Sequence, residues 1–156
     1  MSRMSTDALE SIPLRLIIIA IVASMSILPA AEALDGLETR EFLRRAEIQL
    51  DRIVTTAQIL SVQGFGNVRT IRLDFSSGSD LGLDELRVGD KPGGSNVSSA
   101  VLVLNNGGLL AKTATNPPCQ ISSRGMTALV CRMTTLDLRM TATMENGTSV
   151  IVVEMS

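Results

Sequence analysis

Residues 12–34 form an apolar stretch that constrains this chain more than any other part of its sequence. The stretch reads IPLRLIIIAIVASMSILPAAEAL, and residues 16–31 carry no charged side chain. An α-helix rises about 1.5 Å per residue, so these residues and their apolar flanks just suffice to cross a hydrocarbon core of about 30 Å. The stretch therefore predicts a transmembrane helix. The leader that precedes it, residues 1–11, is too short to be a domain.

A secretory signal peptide is the main alternative for the same stretch. Ala31-Glu32-Ala33 is an A-x-A pattern after an apolar core, and cleavage after Ala33 would release a soluble β domain. The long leader with two acidic residues, Asp7 and Glu10, argues against this interpretation. Arginines lie on both sides of the stretch, so charge does not settle its orientation.

Residues 35–62 predict an amphipathic helix. Apolar residues recur there at alternating spacings of three and four, which places them on one face. Both signs of charge occupy the other faces, and we expect the half from Ile53 onward to pack against a β region. Gly64 and Gly66 end the helix. Gly36 is the only helix-weakening residue between the apolar stretch and this amphipathic segment, so we expect the two to form one long helix. The apolar face consists of Leu43, Ala46, Leu50, Ile53, Ala57 and Leu60.

From residue 67 onward the sequence predicts short β-strands separated by turns. Asn105-Asn106-Gly107-Gly108 is a strong hairpin signal, because these residues accept positive φ. About seven strands at this spacing favour a small antiparallel sandwich. The expected fold class is α+β, with one long N-terminal helix, hydrophobic then amphipathic, packed on a small antiparallel β-sandwich-like head. The expected division is a leader at 1–11, the helix at 12–63 and an extracytoplasmic β domain at 64–156.

The composition excludes several classes of function. The chain has no His, Trp or Tyr, so it lacks the commonest general base and metal ligand and most of the side chains that stack on single-stranded nucleic acid. The net charge of −2 provides no field to attract nucleic acid. We therefore expect no catalytic residues, no cofactor, no metal and no nucleic-acid partner.

The two cysteines, Cys119 and Cys131, lie in the predicted β region. Their spacing is not that of a C-x-x-C redox motif, and without His they do not complete a zinc site on their own. We expect an intrachain disulfide, which would stabilise the domain by about 3 kcal/mol and indicate a location outside the cytosol. The alternative is a pair of buried thiols that act as small hydrophobic side chains.

Polar loops in the β region hold the remaining candidates. Asn96 and Asn146 begin sequences that match the N-glycosylation pattern, and both are predicted to lie in turns. The alternative is that they serve only as turn formers. Five acidic residues surround the first β loops; they predict a solvated acidic loop rather than a calcium site, because their spacing is not that of an EF-hand. These acids are Asp74, Asp80, Asp84, Glu85 and Asp90.

The N-terminal third resembles type IV pilin-like proteins, most closely the membrane-anchored pilin-like proteins of archaea. The resemblance rests on the segment ALESIPLRL at residues 8–16, the aliphatic run, Pro29 and the charged continuation into a β domain. It implies that Glu10 neutralises the terminal amine of a neighbouring subunit during assembly. It also implies that Pro29 loosens the helix locally. In that family the helix lies in membrane lipid before assembly and in a filament core afterwards.

The sequence thus predicts a non-enzymatic structural subunit of a cell-surface filament or envelope assembly. Its partners would be copies of itself, joined through the N-terminal helix, and membrane lipid before assembly. The head would lie outside the cell membrane or on an extracellular filament. Two alternatives are a monomeric membrane-anchored binding module, with ligands held by loops 76–83 and 89–99, and a secreted soluble β domain.

Overall fold

The structure, a computed structural model, describes residues 7–145 and 147–156, and it describes side chains at 16–24, at 34 and from 36 onward except Asn146. Within these residues one helix precedes eight strands. The elements are α1 (Asp7–Gln63), β1 (Val68–Asp74), β2 (Leu83–Val88), β3 (Ser99–Leu104), β4 (Leu109–Thr113), β5 (Gln120–Ser123), β6 (Leu129–Cys131), β7 (Thr135–Glu145) and β8 (Thr148–Met155).

The chain divides into two units, Met1–Leu37 and Glu38–Ser156. The described part of the first unit is helical and belongs to α1. The second unit holds the remainder of α1 and all eight strands. The predicted division at residues 1–11, 12–63 and 64–156 stays a prediction.

Two four-stranded sheets form the second unit. Sheet A has the strand order β1-β7-β8-β5, and sheet B has the order β4-β3-β2-β6. Neighbouring strands pair antiparallel in every case except β5 and β8, which run parallel with Ile121 opposite Ile151. The β3–β4 hairpin turns at Asn105–Gly108, where Gly107 has a φ of 82°, as the sequence signal predicts.

The core of the second unit is mostly aliphatic, with Phe42 and Phe75, and lies between α1 and the inner faces of the strands. Helix α1 contributes residues that recur every three or four positions, from Phe42 through Leu50 to Leu60. In β7, Leu136, Leu138 and other alternate residues face inward, and the residues between them face solvent. This is the pattern expected for a sheet with one buried and one solvated face.

The outer edge of β5 is covered by the loop that follows β2. The Asp90 amide donates to the Ile121 carbonyl (3.1 Å), and the Ile121 amide donates to the Val97 carbonyl (2.7 Å). Gly89 lies at this crossing with a φ of 70°, and a side chain at this position would overlap the Ile121 carbonyl. An edge strand that would otherwise offer unpaired backbone groups is thereby closed.

The predicted fold class, a long helix packed on a small antiparallel sandwich, is wrong. The strands form a mixed arrangement of two four-stranded sheets, because β5, which the sequence did not predict, joins β8 in parallel. Among the described side chains of α1, those that are buried in the core all lie between Phe42 and Leu60. The other strand positions match the predicted ones, and the helix ends at Gln63, directly before Gly64.

The predicted transmembrane helix is not found either. Among the residues described, no helix is both long enough and apolar enough to cross a membrane.

Candidate functional site

The first unit exposes a run of large apolar side chains on helix α1. Leu16, Ile17, Ile18 and Ile19 are between 52% and 63% exposed, and Ile21 is 53% exposed. Successive helical residues point about 100° apart, so these side chains surround the helix rather than line one face. A helix that is apolar all round is normally buried, and this segment is therefore the first candidate surface for association.

The two residues assigned to assembly lie in the same part of the chain. Glu10 and Pro29 fall within the bounds of helix α1, but their side chains lie outside the described residues. The neutralisation of a neighbouring terminal amine by Glu10 and the loosening of the helix by Pro29 stay predictions.

Glu85 forms the main charged cluster of the second unit. Its carboxylate is paired with the Arg87 guanidinium, and its second oxygen lies 3.2 Å from Nη2 of Arg132. The hydrogen bond from Arg87 is the largest cause that lowers the pKa of Glu85; burial opposes it, and Arg132 lowers the pKa further. Glu85 and Arg87 lie two residues apart on the outward side of β2, and Arg132 directly follows the neighbouring β6. This ion cluster is structural, since both carboxylate oxygens are used by arginines.

The acidic residues of the predicted first β loops are not brought together. Glu85 is paired with arginines, whereas two of the aspartates hold their own turns: Asp74 accepts from the Ser76 amide (2.9 Å), and Asp90 accepts from the Lys91 amide (2.8 Å). The bond from Ser76 lowers the pKa of Asp74. Among the residues that the structure describes, no three His, Cys, Asp or Glu side chains are placed to hold a metal ion.

The predicted disulfide between Cys119 and Cys131 is wrong, because both are free and buried. Cys131 lies in β6 of sheet B, opposite Leu86, whereas Cys119 directly precedes β5 of sheet A. The chain changes sheets between them. Burial raises the pKa of Cys119 to about 11, and burial is also the largest cause that raises the pKa of Cys131. The two thiols thus behave as small apolar side chains.

A groove of about 390 Å³ crosses the outer face of sheet B, the face opposite the core, and we call it the sheet B groove. Val101 and Val103 form its floor, as the half-exposed outward residues of β3. Asn96 lies on its wall with an exposed side chain, while Asn146 lies outside the described residues. The lining includes Arg87, Asp90, Asn96, Val101, Val103 and Leu109.

Two of these features were missed from the sequence. The Glu85 cluster could have been suspected from the opposite charges at positions 85 and 87, which share a face of one strand. The sheet B groove could not, because its wall and floor come from β2, β3, β4 and the loop after β2, and only the strand register brings them together.

Comparison with known proteins does not assign this chain to a family. No protein-family model, no curated protein and no solved structure matches it. The resemblance to pilin-like proteins therefore rests on the residues quoted from the N-terminal segment alone.

Proposed function

We propose that this protein is a non-enzymatic structural subunit of a cell-surface or envelope assembly, in which copies join through the first unit. The observation that carries the proposal is the apolar run Leu16–Ile21 on helix α1, with each large side chain more than half exposed. The run has no single apolar face that a sheet could cover. Neighbouring copies of the same segment would surround it.

The side chains of this run suit packing between helices. Three successive isoleucines, Ile17 to Ile19, and Ile21 are β-branched and have one strongly preferred rotamer in a helix. β-Branched residues lose little further freedom when helices pack, and they recur at the contact positions of helical bundles. The second unit has a buried core of its own, so copies can join through the first unit without opening it.

Cross-linking between copies tests this proposal. The full chain carrying Ile18→Cys is treated with a bismaleimide at pH 7, and the matched control is Thr70→Cys on exposed β1. The native thiols interfere little, because both are buried and have raised pKa values. We expect dimers and higher species with Ile18→Cys and essentially none with Thr70→Cys.

A charge introduced in the run provides a second measurement. Ile18→Asp should convert the assembled protein to monomer in sedimentation velocity, because an unpaired charge in an apolar bundle costs several kcal/mol. If the unaltered chain stays monomeric at all concentrations and sediments only with phospholipid vesicles, the run is a lipid contact and the proposed self-association is wrong.

A further inference from the structure

We propose that Asn96 carries an N-linked oligosaccharide whose first sugars lie over the sheet B groove. The inference rests on the proposed location at the cell surface, where such modification takes place. It starts from the sequence Asn96-Val97-Ser98, which matches the acceptor pattern, and from the position of this asparagine on the wall of the groove.

The asparagine at position 96 does not act as a turn former. Elsewhere, Asn67 donates to the Gln63 and Gly64 carbonyls, Asn105 donates to the Asp80 carbonyl, and Asn106 accepts from the Gly108 amide. The side chain of Asn96 makes no hydrogen bond with any described residue. Turn formation therefore explains these three asparagines. It explains neither Asn96 nor the exposed Asn116, and of these two only Asn96 begins an acceptor sequence.

The turn around Asn96 is held by other groups. The Ser99 amide donates to the Asn96 carbonyl (2.9 Å), and a carboxylate oxygen of Asp90 accepts from the Asn96 amide (3.4 Å). Neither bond uses the side chain of Asn96. Residue 96 is also not among those with positive φ, a conformation in which asparagine is favoured over most residues. The exposed amide is thus free for attachment, on a backbone that its neighbours hold in place.

The sheet B groove has the chemistry of a sugar-binding surface. Its floor is apolar, from Val101 and Val103, and Leu109 at its rim is 67% exposed. Arg87 and Asp90 add charged hydrogen-bonding groups to the wall. A pyranose ring has an apolar C–H face and several hydroxyl groups. The face matches the apolar floor of the groove, and the hydroxyl groups match the charged groups of its wall. Covering an exposed apolar patch is favourable in proportion to the area removed from water.

The modification requires a lipid-linked oligosaccharide donor and an oligosaccharyltransferase. The Asn96 amide nitrogen attacks the anomeric carbon of the donor, forming the C–N bond. The bond between that carbon and the phosphate oxygen of the lipid carrier breaks, the lipid (di)phosphate leaves, and the amide loses one proton. No oxidation or reduction takes place.

Peptide mass spectrometry of the protein from its native cells tests the attachment. Trypsin releases residues 88–112 as one peptide, because Lys91 precedes a proline. We expect this peptide to carry an oligosaccharide mass on Asn96 that is lost in Asn96→Gln and Ser98→Ala and is kept in Ser98→Thr. An unmodified peptide from native cells, or modification that persists in Ser98→Ala, overturns the proposal.

Hydroxyl-radical footprinting tests the contact with the groove. The oxidation rate of Leu109 should be several-fold lower in the modified protein than in Asn96→Gln, whereas Val130, which is 48% exposed and lies outside the groove lining, should not change. Equal oxidation of Leu109 in both proteins would show that the sugars leave the groove uncovered.

The glycan and the proposed self-association share only the location at the cell surface, and their tests can fail separately. If Asn96 is modified and Ile18→Cys does not cross-link, the glycan proposal stands and the proposed self-association is wrong. If Ile18→Cys cross-links and Asn96 is unmodified, the self-association stands and the glycan proposal is wrong.

Discussion

Gly89 lies where the loop after β2 crosses the outer edge of β5, and its φ of 70° places it in the left-handed region. A Cβ here would overlap the carbonyl oxygen of Ile121, which belongs to the outer edge of β5 that this loop covers. Only glycine meets both conditions at once, because it has no Cβ and tolerates positive φ.

Replacing Gly89 by alanine should therefore destabilise the protein strongly. We expect Gly89→Ala to lower the free energy of unfolding by about 2–4 kcal/mol, from positive-φ strain together with displacement of packed backbone. Urea unfolding measures this. Gly93→Ala is the matched control: its φ is 79° but nothing lies within 4 Å of the added Cβ, so about 1 kcal/mol is expected. Equal losses would show that the contact with β5 contributes nothing.

The buried thiols predict how stability depends on alkaline pH. In the unfolded chain a thiol ionises near its ordinary pKa of about 8.5, whereas burial raises the pKa of folded Cys119 to about 11. The unfolded state thus binds fewer protons between these values, so stability is fully present below pH 8.5 and falls as pH rises to 11. The chain has no tyrosine to obscure the effect. Urea midpoints from pH 8 to 10.5 should fall less steeply in Cys119→Ala than in the unaltered protein.

At the scale of elements, helix α1 has two faces with different energetic roles. Leu50 is fully buried, whereas Ile48, two residues earlier, is 50% exposed. We expect Leu50→Ala to cost about 2–5 kcal/mol, since it leaves a cavity in the core. Ile48→Ala should change stability by only about 0.5 kcal/mol, as is usual for exposed positions. Denaturant unfolding of both variants checks the pair, and a costly Ile48→Ala would mean that this face is packed as well.

The elements also show what the sequence can reveal. The buried face of α1 follows from apolar spacing, and β3, β4, β7 and β8 follow from alternation and from two glycine turns, because these signals are local. Strand β5 reads QISS, with one apolar residue in four positions. Its conformation is set by β8 and by the loop that bonds its outer edge, both distant in sequence, so no local pattern predicts it.

The candidate surfaces also divide into those that the sequence reveals and those that it does not. The apolar run of α1 and the sequon at Asn96 are visible in the sequence, because each is a contiguous motif. The sheet B groove and the second arginine of the Glu85 cluster depend on strand register, which only the folded chain provides. The predicted disulfide was wrong because the sequence gives the spacing of Cys119 and Cys131 but not how the folded chain orients two buried thiols.

At the scale of the whole molecule, the second unit contains every side chain of the described core, beginning at Phe42. We expect residues 38–156 alone to fold with a melting temperature within a few degrees of that of the full chain, and to be monomeric. Circular dichroism and sedimentation velocity provide the two readouts. An unfolded product would show that the first unit stabilises the second, and an assembled one would place the self-association in the second unit.

The strands alternate between the two sheets along the chain, and this order has a practical consequence for experiments that use fragments of the protein. Strand β1 belongs to sheet A, and the next three strands belong to sheet B. Strand β5 is again in sheet A, β6 is in sheet B, and β7 and β8 are in sheet A. Neither sheet can be excised as a continuous fragment, so peptide arrays and nested deletions would display unfolded pieces. A reporter is better inserted at the exposed Asn105–Gly107 turn, where the two strands it joins are already neighbours.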